Sequence, residues 1–482
     1  MGFLGHPLFY VKEIVCKKNI LHIPLVYGST NQTSMKKITL LMLTLLLSCS
    51  TLFFTSCSER KDGLPQLLER KKVMGPEDEK ATITTSYNKA VEALKQNPDD
   101  LKQYVTLASV FISEGRITGN NSYYSNSAVK MLNKVTESNT ANKDLVFQAL
   151  SLKSAVLLNM HQFKDALDVA KQGVALNDYN AGIFGALVDA NVELGNYDAA
   201  VKDCDRMMTI RPDLRSYSRA SYLRQIYGQN QGAMEAMHMA VDAGMPGAES
   251  TEWARTKLGD LYLNTGNLDS ASILYRSSLV YRPNYPYALM GMALVEKSRK
   301  NYDQAITYTR SAIAVLSEAA FVSTLADLYE LKGDAAKAKD ARNDVVALLE
   351  ESQKDEPADA LVKHNVSREM ATAYLNAGNL DKALQYAKTD LAMRPENIDA
   401  NELIAWVYYL KGDYANAKTH ADKMMATKTQ NAGSLYKAGV IYSSAGELAQ
   451  GNDLLKNAMA INPFMDQRLI SQSKSPVVVN KG

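Results

Sequence analysis

Four cysteines in 482 residues are too few for a disulfide framework in a chain of this length. Charge of one sign is also missing: 54 Lys and Arg stand against 52 Asp and Glu, a net charge of +2. That balance removes the usual electrostatic case for a nucleic-acid partner. Tryptophan occurs twice and proline 13 times, and a single stretch of the chain is long and apolar. Signatures of chemistry are absent as well. There is no glycine-rich phosphate loop, no Cys-x-x-Cys, no His-Glu-x-x-His and no Gly-x-Ser-x-Gly. No spacing forces two reactive groups together, so the sequence argues for no enzyme, no metal and no cofactor. What is plentiful is apolar residues, 46% of the chain, enough to exclude disorder throughout. Tyrosine is the marked excess, 26 residues against 10 phenylalanines.

The one apolar run is Ile38 to Phe54, introduced by Met35-Lys36-Lys37 and ending in small residues before a cysteine. Charged start, leucine-rich middle and small-residue end make a secretory signal over 35–56. Phe54-Thr55-Ser56-Cys57 resembles a bacterial lipobox, whose cysteine is lipidated and becomes the mature N-terminus. Cys49 after Leu46-Leu47-Ser48 is the competing site, but cleavage there leaves Leu52-Phe53-Phe54 exposed. Residues 57–79 then read as a polar tether, and residues 1–34 as an upstream extension outside the signal. Signal cleavage removes Cys16 and Cys49 and leaves Cys204 as the free thiol, in keeping with an oxidising compartment.

From about residue 80 one pattern recurs. Turn residues between helical runs fall at Gly115, His161, Gly195, Gly228, Gly266, Lys300, Gly333, Gly378, Gly412 and Gly446, mostly 33 to 34 residues apart. Alanine recurs five positions after the turn, as at Ala200, Ala271 and Ala417. Tyrosine recurs four positions before it, at Tyr262, Tyr329, Tyr374, Tyr408 and Tyr442. Small residues recur seven before, and proline seventeen after at Pro212, Pro283, Pro395 and Pro463. A glycine at the turn accepts the left-handed conformation that ends a helix. Asn267, Asn379 and Asp413, next in line, are placed to cap the helix that follows. Small residues let two antiparallel helices close up, and proline stops the second one. No such unit buries its apolar face alone, so the units must stack.

This pattern resembles the tetratricopeptide repeat, a helix-turn-helix of 34 residues, with Leu258-Gly259-x-x-Tyr262, Ala271 and Pro283 as the nearest match. The resemblance implies an all-α fold, a right-handed α-solenoid of about ten repeats over 80–465. Spacings of 46 and 45 residues interrupt the register. The first puts its excess in Gly115 to Ser127, read as a polar loop. The second lengthens the helix over Ala335 to Gln353, breaks it at Lys354 to Pro357 and opens another long helix near Ala358. The array accordingly divides into parts over 80–352 and 353–465. Ile83 to Asn97 reads as a leading helix, and only Gln467 to Ile470, within the tail 466–482, is available as a cap. Cys204 falls in a core slot. His161 replaces a turn glycine, and His238, His364 and His420 fall on expected helices.

Function is expected on the concave face, which the resemblance assigns to the first helix of each unit, at thirteen, ten, six and three positions before the turn. Those offsets give Arg215, Tyr222, Trp253, Asp260, Tyr287, Arg368, Trp406, Tyr409 and Tyr436. Aromatic rings and Arg are the side chains that anchor interfaces; the bland reading is that they pack between neighbouring units. One subfamily grips C-terminal carboxylates with lysines and asparagines on this face. Thr256, Asp260, Leu294 and Asp327 stand here instead, so that activity does not carry over. The expectation is a non-enzymatic scaffold that binds a protein segment in its groove and is tied to the membrane by lipid on Cys57. Ser58 and the lipobox resemble Bacteroidota outer-membrane lipoproteins, and the tether's lack of an acidic run favours the periplasmic face. The alternative is a surface glycan-capture lipoprotein, which the shortness of the insertions speaks against.

Overall fold

The computed structural model describes residues 63–70, 77–354, 356 and 359–473. The extension, the signal with Cys57 and Cys49, and residues 474–482 lie outside the described residues. Gly63 to Leu68 belong to a separate unit and are irregular, with Gly63 at φ 72°. From Glu69 onward the described chain is one compact unit of 22 helices, with no strand among the described residues. The leading helix α1 is Glu77–Gln96. Ten helical hairpins follow: α2 Leu101–Thr118 with α3 Asn121–Thr136, α4 Lys143–Asn159 with α5 Phe163–Leu176, and α6 Ala181–Glu193 with α7 Tyr197–Ile210. Next come α8 Leu214–Ile226 with α9 Asn230–Asp242, α10 Glu249–Asn264 with α11 Leu268–Tyr281, and α12 Pro286–Ser298 with α13 Tyr302–Val315. The last four are α14 Ala319–Leu331 with α15 Ala335–Lys354, α16 Ser367–Asn376 with α17 Leu380–Met393, α18 Ile398–Lys411 with α19 Tyr414–Met424, and α20 Ala432–Ser444 with α21 Leu448–Ile461. A short α22, Gln467–Gln472, closes the described chain.

The recurring residues do what their types suggest. Turn glycines 195 to 446 all take positive φ, and His161 and Lys300 adopt the same region at φ 55° and 65°. Asn267, Asn379 and Asp413 each accept from the backbone N–H three residues on, at 3.1 to 3.2 Å. The alanines after the turn are fully buried at Ala166, Ala200, Ala271, Ala305, Ala383 and Ala417. Tyr275 shows why small residues are needed: a Cβ added to Gly259 would come 2.5 Å from its ring, and one on Gly291 would also collide with it. Cys204 is buried, and burial pushes its thiol up to about 11, so it is an inert core group.

Three local expectations are corrected. Gly115 is not a turn: it is helical and buried in α2, and Gly119 at φ 77° makes the turn instead. The expected polar loop is therefore the end of α2 and the start of α3, held by Tyr124 stacked on Phe111 with centroids 6.1 Å apart. Ala358 lies outside the described residues, and no long helix opens after it among the described ones: residues 359–366 are irregular and α16 has only ten residues. His364 accordingly lies in this strap and not on a helix, whereas His238 and His420 are helical. The strap stays ordered because its backbone groups find partners on the first hairpins. Asn126 acts as a strand edge, accepting from Val362 N–H and donating to Val362 O, each at 3.0 Å. Gln162 donates to Lys363 O at 2.7 Å, and Asn365 N–H donates to Met160 O at 3.1 Å. Two further expectations hold: α15 is the lengthened helix and α1 is the leading one, though it starts at Glu77. Arg70, before it, is already buried between Glu79 and Glu114.

The strap is the first part of a longer seam. First helices of successive units pack on one another, α2 on α4 through α10 on α12 and again α16 on α18 on α20, and second helices do so less. That asymmetry curls the array, with the first helices inside. Contacts then recur between residues 199 to 205 apart in sequence, the length of six repeat units. Tyr197 OH accepts from Ile398 N–H at 2.8 Å, Asn397 donates to Val192 O at 3.2 Å, and Asn462 donates to Leu263 O at 3.3 Å. After six units the array has thus come round onto itself, and connectors of the later units rest on turns of the earlier ones. At Gly195 and Gly228 this approach leaves no room for a side chain. A Cβ would lie 2.6 Å from Glu396 O and 2.7 Å from Lys428 O.

The concave face as candidate functional site

The inner face is built by the first helices, and the sequence-predicted residues divide on it into three groups. Arg215 on α8 is exposed, and Tyr222, Trp253, Asp260 and Tyr287 on α8, α10 and α12 are half-buried. Asp260 accepts from Lys257 Nζ at 2.9 Å and from Tyr275 OH at 2.7 Å, so a core tyrosine and a groove lysine share one carboxylate. Tyr287 lies edge-on to Tyr285 and Phe321 and donates to Glu318 Oε1 at 2.9 Å. Glu318 is 1% exposed, and its other carboxyl oxygen has no hydrogen-bond partner. Burial pushes this carboxyl up to about 8, against the opposing pull of Tyr287, so it holds its proton at neutral pH.

The second group is Arg368, which joins a charged cluster at the seam. Its guanidinium lies 3.5 Å from Asp399. Beside it Arg394, 1% exposed, chelates Asp390 through Nε and Nη2, both at 2.7 Å, and donates from Nη1 to Glu193 at 2.6 Å. His161 donates from Nδ1 to Asn365 O at 2.9 Å, and its ring meets His364 edge-on at 4.8 Å. Burial holds His161 down to about 4 and His364 to about 3, so both are neutral at pH 7 and serve as packing groups. The series of first-helix contacts loosens on either side of α14. A cavity of about 320 Å³ opens there, with Glu193, Arg368, Glu369 and Arg394 on its charged wall and Val345, Leu349 and Ala373 on its apolar one.

The third group corrects the expectation. Trp406, Tyr409 and Tyr436 are not groove residues: they are 3%, 0% and 0% exposed and belong to the core of the last two units. Trp406 stacks on Tyr409 with centroids 4.8 Å apart, and Tyr436 OH lies 3.0 Å from Ser473 Oγ. The offsets were right for the helix face. What they miss is the packing of the last two units, to whose core Leu469 and Ile470 of α22 and the preceding Met465 add. Arg468 of α22 donates to Asp327 Oδ1 at 2.6 Å and Asn376 Oδ1 at 3.1 Å, and Lys297 donates to Asp466 at 2.9 Å. Asp327, Asn376 and Lys297 stand on the inner helices α14, α16 and α12, so the closing segment lies across the groove. Asp327 and Lys297 sit at groove offsets and were legible as such; nothing in the sequence marks Arg468 as their partner.

Residues 368–424, hairpin α16–α17 together with α18 and α19, match the family model of the tetratricopeptide repeat. The same turn and alanine positions recur in most of the other hairpins, and the tyrosine position at Tyr262, Tyr329 and Tyr442. The array is built of tetratricopeptide repeats. No curated protein matches the chain. Among solved structures, MamA is similar at 17% identity and TM-score 0.28, over 34% of this chain and 93% of its own. The Cut9-Hcn1 hetero-tetramer of the APC/C is similar at 13% identity and TM-score 0.34, over 82% and 94%. The human IFIT1 dimer with PPP-AAAA is similar at 12% identity and TM-score 0.40, over 78% and 87%. What those proteins bind is not transferred to this one. Within the tetratricopeptide array no described helix is long and apolar enough to cross a membrane, and the described residues hold no metal-binding group of His, Cys, Asp and Glu.

Proposed function

We propose that this tetratricopeptide array is a non-enzymatic scaffold that holds a segment of a partner protein along its concave face. The observation that carries the reading is the face of units four to six. Arg215, Tyr222, Trp253, Asp260 and Tyr287 line three consecutive inner helices and keep part of their surface accessible. Rings and guanidinium groups in a half-buried, curved setting are the groups that supply most interface energy. The lipobox at Cys57 supports an anchor in the envelope, on the periplasmic face of an outer membrane. A photoreactive residue at Trp253 should yield a protein adduct in the native envelope, and one at the exposed Lys171 on the second helix α5 should not. Equal labelling at both sites, or none at Trp253 and Arg215, overturns the scaffold reading. Metabolic labelling with palmitate should be lost in Cys57→Ala; loss in Cys49→Ala instead would move the anchor.

A further inference from the structure

The closing segment sits where a partner would. Met465, Leu469 and Ile470 pack against the core of the last two hairpins. The polar side of the same segment does something else. It reaches past its own hairpin to units six, seven and eight, contacting residues 92 to 169 positions away. Lys297 takes the Asp466 carboxylate at 2.9 Å; Asp327 and Asn376 take the Arg468 guanidinium at 2.6 and 3.1 Å, with Glu330 at 3.1 Å from its Nε. The side chains of Lys297, Asp327 and Arg468 are only 12%, 16% and 10% exposed. Asp466 and Glu330 are 42% and 45% exposed, so the site is charge-complementary and sheltered on its Lys297, Asp327 and Arg468 side only.

We propose that Lys297, Asp327, Glu330 and Asn376 form a peptide subsite in the groove, occupied in the resting chain by the protein's own segment Asp466-Gln467-Arg468-Leu469-Ile470. The inference rests on the scaffold reading and specifies its partner. The subsite selects a short helical segment with a carboxylate two residues before an arginine and two aliphatic residues after it. Each requirement has its counterpart: Lys297 for the carboxylate, Asp327 and Glu330, which Arg342 also pairs with, together with Asn376 for the guanidinium, and the core of the last two units for the aliphatics. Arginine meets Asp327 and Asn376 from Nη1 while its Nε faces Glu330 without a hydrogen bond, a spread that the single ammonium of lysine does not reproduce. A partner with this pattern competes with the internal segment, whose effective concentration is high because it is tethered. Binding at this subsite is therefore gated by displacement of α22.

The test uses the full chain and a fluorescein-labelled peptide copying residues 464–473. Arg468→Glu sets a carboxylate against Asp327 and Glu330 and should free the internal segment, read as faster amide exchange over 467–472. That variant should bind the peptide at least tenfold more tightly than the wild type. A peptide carrying Glu at the arginine position should not bind, and adding Asp327→Asn and Glu330→Gln to the chain should abolish capture. In the wild type, excess peptide should itself accelerate exchange over 467–472, a readout that does not depend on any variant folding. Equal peptide affinity in both chains, no binding to the freed variant, or unchanged exchange in both would overturn the proposal. If the envelope partner crosslinks to Trp253 equally in wild type and Arg468→Glu, the scaffold stands and this gating falls.

Discussion

Gly195 and Gly412 have nearly the same backbone, φ 81° and 82°, and different surroundings. Around Gly412 a Cβ would meet nothing within 4 Å, whereas around Gly195 it would strike the Glu396–Asn397 peptide. Gly412→Ala should cost about 1 kcal/mol, the conformational penalty alone. Gly195→Ala should cost roughly 1–3 kcal/mol more, because backbone must move. Urea denaturation of the two variants separates the contributions. Glu318 offers a second test at this scale. Its carboxyl titrates near 8 in the folded chain against an ordinary 4.5. Between those values the folded state keeps a proton that the unfolded state has released, so the group lowers stability as pH rises through that window. Glu318→Gln keeps the acceptor for Tyr287 and removes the titration. Its advantage over wild type should therefore grow from pH 5 to pH 8, by roughly 3–4 kcal/mol.

At the scale of elements, the informative piece is the strap before α16. The sequence reads as a long helix opening near Ala358 after the break at Lys354 to Pro357. Helix propensity loses there because Val362, Lys363 and Asn365 find hydrogen-bond partners on the first hairpins, over 200 residues away in sequence. Asn126→Leu removes both partners of the buried Val362 backbone and should cost about 1–3 kcal/mol for each group left unpaired. Amide exchange over 361–366 should quicken while α2 and α3 keep their protection. Asn126→Asp should show a smaller effect, since it keeps the acceptor for Val362 N–H. Tyrosines teach the converse. Tyr262 and Tyr442 were assigned structural slots from their spacing, and Tyr442 does reach Asp422 at 2.8 Å, whereas Tyr436, assigned to the groove, is core.

For the molecule as a whole, the seam changes how the array should unfold. A linear repeat array is stabilised only through nearest neighbours and can open from either end. Here Arg394 of the eighth unit is held by Glu193 of the third, so hairpins five units apart share a buried ion pair. Arg394→Met leaves Glu193 and Asp390 buried without their cation, and should cost about 3–5 kcal/mol. Hydrogen exchange in the wild type should show α6 and α17 opening together, and in Arg394→Met opening separately. Independent opening of the two helices in the wild type would mean the seam is not energetically coupled.

The amino-acid sequence by itself determined the repeat: its period, its turns, its caps and which face of each helix points inward. Those features depend on residues a few positions apart, and the physics of a helix, a left-handed turn or a small-residue contact is local. Tertiary structure alone decided what that inner face does. Whether Trp406 is a ligand-binding ring or core depends on how the last two units pack, and whether Gly195 needs only its φ or also its empty space depends on Glu396. Such facts follow from the curvature accumulated over six units. A small rotation per repeat, set by side-chain volumes summed along the array, fixes which distant residues meet, and no single spacing in the sequence encodes that sum.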